Sequence, residues 1–128
     1  IGVRRATVNQ ALARTWIHAS STIVEPRLGD VPLEARPGVF SWRALDDGTR
    51  VLLDVLDERI ATRTTPPRKV LDLGCGWGPV SVWVARTFPQ ARLLAIDTNH
   101  LAVACTRGNL AKVGAGTRAM VVPSAGLD

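Results

Sequence analysis

Apolar and polar positions change period repeatedly along this chain. Residues 4–19 carry Val8, Leu12 and Trp16 at four-residue spacing, which places them on one helical face. "STIVEPRLGDVPLEARPG" then reads as two short strands around a turn near Gly29 and Asp30. "LDDGTRVLLDVLDERIA" returns to the helical period. Asp46 or Asp47 can cap its start, and Leu52, Val55, Leu56 and Ile60 form the expected buried stripe. "TRTTPPR" is a linker, because Pro66 and Pro67 cannot continue a helix.

From residue 69 strand and helix alternate. Residues 69–73 form an apolar strand interrupted by Asp72. Residues 79–88 form a helix with Pro79 in its first turn and Pro89 beyond its end. "ARLLAID" is the next strand, Asn99 to Val113 the next helix, closed by Gly114 and Gly116, and "RAMVV" the last strand. Such alternation is the signature of a parallel sheet with right-handed crossovers, so the fold class is α/β. In open α/β sheets ligands bind beyond the carboxyl ends of the strands. The glycine-rich turn after residue 73 and Asp97 both fall at such ends, and are expected to face one crevice.

At 128 residues the chain is one domain in size, and no apolar run is long enough to cross a bilayer. No charged-then-apolar leader opens it; it begins on Ile1, as a cut or processed chain would. Cys75 and Cys105 have neither metal-ligand spacing nor a disulfide framework, so no metal is expected and a reducing cytoplasm is the expected compartment. Net charge is +5, and fourteen of the sixteen basic residues are arginine. A positive surface favours polyanions such as RNA, although dispersed arginines also describe an ordinary solvated surface.

The turn itself carries the chemistry. "KVLDLGCGWGPVSVWVA" places Gly74, Gly76 and Gly78 at alternate positions after Asp72. A dinucleotide fingerprint, G-x-G-x-x-G, would need its third glycine at position 79, which is Pro79. A carboxylate just before the turn repels a pyrophosphate and suits a cationic ligand. S-adenosylmethionine carries a sulfonium and an ammonium group and no phosphate, and the pattern favours it. Asp97, 23 residues beyond Gly74, can accept from both hydroxyls of an adenosine ribose; its plainer reading is a helix N-cap. Asp72 has a plainer reading too, as a strand-end acid bonded to local amides. His18 and His100 are isolated and read as surface or cap residues. Trp77 can shield a ligand or cover the sheet edge, and Trp83 reads as core. Cys75 lacks a basic neighbour to make it a thiolate.

"VLDLGCGWGPVSVWVA" followed by "LLAIDTNHLAVACTRGNLAKVG" resembles motifs I and II of class I S-adenosylmethionine-dependent methyltransferases. The upstream "RPGVFSWRALDDGTRVLLDVL" resembles the P-G-V-F-S…L-D-x-G-[ST] segment of the "methyltransferase small" group, and within it the ribosomal RNA guanine-N2 methyltransferases. The resemblance implies the N-terminal part of a Rossmann-like fold: a parallel sheet with helices on both faces, truncated after the third strand and preceded by a helix and a β-hairpin. Residues 1–36 would form that N-terminal region, and 37–128 the cofactor-binding half of the domain.

Carried over position by position, the resemblance places Asp72, Gly74, Gly76 and Gly78 around the methionine part of S-adenosylmethionine. Asp97 would hold the ribose, and Thr98 would lie beside the adenine. Phe40 and Ser41 would close over the cofactor, with Thr49 nearby. The acid that many relatives place after the third strand, to accept from the adenine amino group, aligns with Ala125, leaving that role to backbone amides. The family's catalytic N-P-P-[FY] motif does not occur before Asp128. These residues are therefore expected to be a fragment, inactive alone, with "KVLDL" as an exposed apolar sheet edge. Residues 1–19 would be the tail of a preceding degenerate domain.

The implied reaction transfers a methyl group to an exocyclic guanine nitrogen in ribosomal RNA, the base being flipped or already unpaired. Methylation of a tRNA adenine or a protein glutamine is the rival within the group. Outside it stand a nicotinamide-dependent oxidoreductase, disfavoured by Pro79 and Asp72, and a non-catalytic RNA-binding module with a vestigial pocket. Retained glycines argue against a vestigial pocket.

Overall fold

A computed structural model describes residues 19–125, together with helical positions 10, 11 and 14. Those three positions are helical, as expected for residues 4–19, whereas Val8, Leu12 and Trp16 of the expected apolar face lie outside the described residues.

The hairpin forms as its turn chemistry dictates. β1 (Ser21–Ile23) pairs antiparallel with β2 (Leu33–Ala35), Ser21 opposite Ala35 and Ile23 opposite Leu33. Between them Pro26–Leu28 makes one 3-10 turn, and the chain reverses through Gly29 and Asp30, both at positive φ. At φ 93° Gly29 occupies backbone that strains most side chains, and a Cβ there would also displace the Arg86 guanidinium.

Helix α1 (Asp47–Ala61) is capped by Asp46, whose carboxylate accepts from the Thr49 amide at 3.0 Å and the Thr49 hydroxyl at 2.6 Å. Its buried stripe departs from the expected one. Leu53 is fully buried with Leu56 and Ile60 beside it, whereas Leu52 and Val55 are each 45% exposed. Apolar residues cover a wide arc of this helix, so two stripes at helical spacing fit the sequence equally well. Docking against α2 chose between them, with the Trp83 indole N–H donating to Asp57 on α1.

β3 (Lys69–Leu73), β4 (Arg92–Asp97) and β5 (Ala119–Pro123) form one parallel sheet in that order. The register places Leu71 beside Leu94 and Met120, and Asp72 beside Ala95 and Val121. α2 (Pro79–Thr87) links β3 to β4, and α3 (His100–Lys112) links β4 to β5. Both crossovers step in the same direction across the sheet. With right-handed connections they therefore fall on the same face. Leu93, Ala95 and Val121 are buried beneath them, while Leu71 and Met120 on the opposite face are 40% and 64% exposed. Helices on both faces were the expectation; among the described residues they cover one. Among the described residues no strand pairs with the outer edge of β3, as expected, and Leu73 is 59% exposed.

The core is continuous from hairpin to sheet. Ile23, Leu28, Leu33 and Ala35 belong to one buried cluster with Trp77, Val82, Val103 and Leu110. Arg118, just before β5, donates to the carbonyl of Ala85 in the last turn of α2 and to those of Phe88 and Ala91 in the loop that leads to β4. No helix among the described residues is long and apolar enough to cross a membrane.

Candidate cofactor site

The end of β3 and the end of β4 are laced together by backbone. Gly74 and Cys75 both donate to the carbonyl of Ile96, at 2.7 and 3.0 Å, and Gly78 donates back to Cys75 at 2.9 Å. The chain thereby makes a tight turn from Gly74 to Gly78 before Pro79 opens α2. Gly74, Gly76 and Gly78 have φ of 74°, 58° and 97°, a left-handed region costly for most side chains.

The three glycines differ in what surrounds them. A Cβ built on Gly74 or Gly76 meets nothing within 4 Å. One built on Gly78 would lie 2.9 Å from Thr106 Oγ1 on α3. Gly78 is thus required for α2 and α3 to approach each other, whatever lies above the turn. Gly74 and Gly76 instead leave bare backbone beneath open space, the shape a ligand lying against the main chain needs.

Asp97 stands at the same place from the neighbouring strand. Its Oδ2 accepts from the Gly76 amide and its Oδ1 from the Asn99 amide, both at 2.9 Å. It is not the cap of α3. That position belongs to Asn99, whose side-chain oxygen accepts from Leu101 and Ala102. Each Asp97 oxygen keeps a lone pair beyond the one it uses, and the side chain is only half-buried, so the carboxylate can also take donors from a ligand. Thr98 follows it, exposed.

Asp72 is half-buried, and its Oδ2 accepts from the Ser81 hydroxyl at 2.6 Å. Burial pushes its pKa above the ordinary carboxylate value, the Ser81 bonds pull it back, and the neighbouring Asp97 charge adds a further upward push. Two carboxylates thus flank the glycine turn, the electrostatics a cation would find and a pyrophosphate would not. The sign for stability follows. A carboxyl whose folded pKa lies above its unfolded value binds its proton more tightly when folded. Its contribution is then most favourable at acid pH and is lost as pH rises through the raised value, leaving a cost at neutral pH. Asp72→Asn is therefore expected to raise the melting temperature at pH 7 and to shrink this gain toward pH 4, while weakening binding of a cationic ligand. Thermal melts at both pH values, paired with ligand titration, check it.

The upstream segment reaches the site through one bond. Asn99 Nδ2 donates to the Gly38 carbonyl at 2.8 Å, holding residues 37–41 against the start of α3. Phe40 projects into solvent, 77% exposed, and Ser41 sits at φ 50° with its hydroxyl donating to Ala44. Thr49 faces Asp46, and its hydroxyl is engaged in the helix cap. Ala125 is exposed just beyond β5, and its side chain offers no acceptor. Trp77 is buried in the core beneath the turn, and Trp83 is core as expected. Cys75 is buried, and burial pushes its thiol up to about 11, far from a thiolate at neutral pH. His100 is exposed at the first position of α3.

Ser81, Thr106 and Asn109 support the site and were not singled out from the sequence. Each is at most 1% exposed. Thr106 and Asn109 lie one helical turn apart on α3, and each donates to a carbonyl of the glycine turn: Thr106 to Gly76 at 2.9 Å, Asn109 to Trp77 at 2.7 Å. Their signal was polar side chains on a face of α3 that also carries buried Ala102 and Leu110.

Comparison with known proteins agrees with this geometry. The profile of the methyltransferase small domain matches residues 30–127. Ribosomal RNA small subunit methyltransferase C of Pasteurella multocida is 40% identical over 106 residues, covering 83% of this chain and 29% of that protein. The protein of the same name from Stutzerimonas stutzeri is 36% identical over 123 residues, covering 94% of this chain and 35% of that one. This chain thus spans about a third of those relatives' length. Among solved structures, a SAM-dependent methyltransferase from Agrobacterium tumefaciens superposes with a TM-score of 0.55 at 20% identity, over 72% of this chain and 29% of that one. Cofactor-bound Rv0187 from MTB superposes with a TM-score of 0.50 at 22% identity, over 98% of this chain and 54% of that one. A parallel α/β core and a matching family profile over residues 30–127 agree: the chain belongs to the methyltransferase small domain family of S-adenosylmethionine-dependent methyltransferases.

Proposed function

We propose that this chain forms the cofactor-binding part of a ribosomal RNA methyltransferase whose acceptor is the exocyclic N2 of a guanine. The observation that carries the reading is the open space above Gly74 and Gly76, flanked by Asp72 and Asp97. S-adenosylmethionine, bound there, supplies an electrophilic methyl group on a sulfonium. Gly74 and Gly76 keep the backbone bare beneath it. Asp97 accepts from the ribose hydroxyls with its remaining lone pairs, and Thr98 lies at the adenine side. Asp72 faces the cationic methionine end. Phe40 and Ser41 close over the site on the segment that Asn99 anchors, Thr49 stabilises that segment through the α1 cap, and Gly78 sets the distance between α2 and α3.

The RNA acceptor is supported by the names of the relatives and by a net charge of +5. Methyl transfer to an exocyclic guanine amine would release the thioether S-adenosylhomocysteine and one proton from nitrogen, and it depends on alignment of nitrogen, methyl and sulfur. The groups that align the amine are assigned to no residue of this chain.

Calorimetric titration with S-adenosylhomocysteine and NAD tests the cofactor. Binding of the first and not the second is expected, and the reverse would overturn the reading. Labelled methyl transfer by the intact protein to unmodified small ribosomal subunits, followed by nucleoside analysis, tests the acceptor. Label in N2-methylguanosine is expected; label confined to adenosine or to protein would move the acceptor class.

A further inference from the structure

The hairpin packs against α3 through β2, and one α3 side chain joins it to the glycine turn. Asn109 is 1% exposed and commits both amide hydrogens: Nδ2 donates to Trp77 O at 2.7 Å and to Glu34 O at 2.8 Å. Its Oδ1 accepts from Glu34 N, also at 2.8 Å. It therefore pairs with both backbone groups of Glu34 in β2, as a neighbouring strand would, and holds the turn with its second hydrogen. A flipped amide would set its oxygen against two carbonyls, so only one orientation satisfies the site. Thr106, one helical turn earlier, holds the preceding carbonyl of Gly76. Lys112, one turn later, bonds Pro32 O at 3.2 Å and pairs with Glu34 at 3.5 Å.

One face of α3 thus holds two consecutive carbonyls of the glycine turn and the edge of the hairpin. Fixing the Gly76 and Trp77 carbonyls toward α3 fixes the peptide planes between them, and with them the bare surface at Gly76. The Gly76 amide is held from the opposite side by Asp97. The turn is held from both sides by side chains, before any ligand contributes.

We propose that Asn109 is a positioning residue for the cofactor turn, transmitting the docking of the β1–β2 hairpin to the peptide planes at Gly76 and Trp77. The proposal rests on the cofactor reading above. It makes residues 21–35 part of the cofactor machinery.

Asn109→Asp tests it with little change of volume. The substitution keeps the acceptor for Glu34 N and turns both donor bonds into facing acceptors. In the intact protein, the dissociation constant for S-adenosylhomocysteine should rise at least about tenfold, as expected for buried carbonyls that lose their donors. The cofactor KM should rise with it, while kcat at saturating cofactor stays within about threefold of the parent, since the reacting atoms are untouched. Thr106→Val, which removes the Gly76 bond at constant shape, should weaken binding in the same sense by a smaller factor, and it carries the test if Asn109→Asp fails to fold. Leu110→Ala, at an adjacent buried position with no bond to the turn, controls for stability. It should lower the melting temperature and leave the affinity of the folded protein within about twofold. An Asn109→Asp or Thr106→Val protein that melts earlier but binds like the parent would overturn the proposal, leaving Asn109 a purely structural bridge. Failure of the parent to bind S-adenosylhomocysteine would instead overturn the cofactor reading.

Discussion

Gly76→Val is expected to abolish cofactor binding, reducing affinity at least about 100-fold, or roughly 3 kcal/mol. Two effects act together and can be separated. At φ 58° a branched side chain is strained, which should cost stability on the order of 1–3 kcal/mol. The Cβ points into open space, so no protein atom resists it; only the ligand would. The strain appears as an earlier thermal melt, the lost volume as a changed dissociation constant of the folded protein. Gly76→Ala should keep most of the binding loss with less of the strain. Gly78→Ala should do the opposite, because its Cβ meets Thr106 at 2.9 Å: stability falls first, and affinity only as α2 and α3 separate. Calorimetry on the three folded variants decides the matter. A Gly76→Val protein that binds S-adenosylhomocysteine within threefold of the parent would place the cofactor elsewhere.

Asp97→Ala is expected to weaken cofactor binding by roughly 1.5–3 kcal/mol, through loss of a charged acceptor for two ribose hydroxyls. Part of the loss arises within the protein, since the Gly76 and Asn99 amides lose their shared acceptor. Asp97→Asn keeps an oxygen for one of those amides and should bind between the parent and the alanine variant. A cofactor analogue lacking the ribose hydroxyls separates the two contributions. The parent should discriminate against it and Asp97→Ala should not. Equal discrimination by both proteins would remove Asp97 from the ribose and leave it a clasp between β4 and the glycine turn.

Several features were legible because one residue type answers one local demand. Alternate glycines after an acidic strand end marked a turn of bare backbone, and the structure places all three at positive φ, which few other residues occupy cheaply. Strand limits at residues 69–73 were matched by the structure, and the hairpin reversed at Gly29 and Asp30 as its turn residues predict. A cap at Asp46 or Asp47 was legible for the same kind of reason, and the structure gives it to Asp46.

The misreadings all concern what an element packs against. Of the α1 stripe expected at Leu52, Val55, Leu56 and Ile60, the last two pack on the core, while docking buried Leu53 and left Leu52 and Val55 exposed. Asp97 was given a helix cap as its alternative role, when Asn99 holds the cap and Asp97 holds the turn. Gly78 was grouped with its two neighbours, though only its own position abuts Thr106.

By itself, then, the sequence determined the order of elements, the parallel sheet, the glycine turn and the chemistry that can sit above it. These follow from backbone preference and hydrophobic period, which act over a few residues. Tertiary structure alone decided which face of α1 is buried, which glycines stand beneath open space and which abuts a helix, and that Asn109 reaches Glu34, 75 residues earlier in the chain. A hydrogen bond across such a separation leaves no periodic trace. It exists because two right-handed crossovers put α3 on the same face as α2, and because a buried amide must find partners wherever the fold places them.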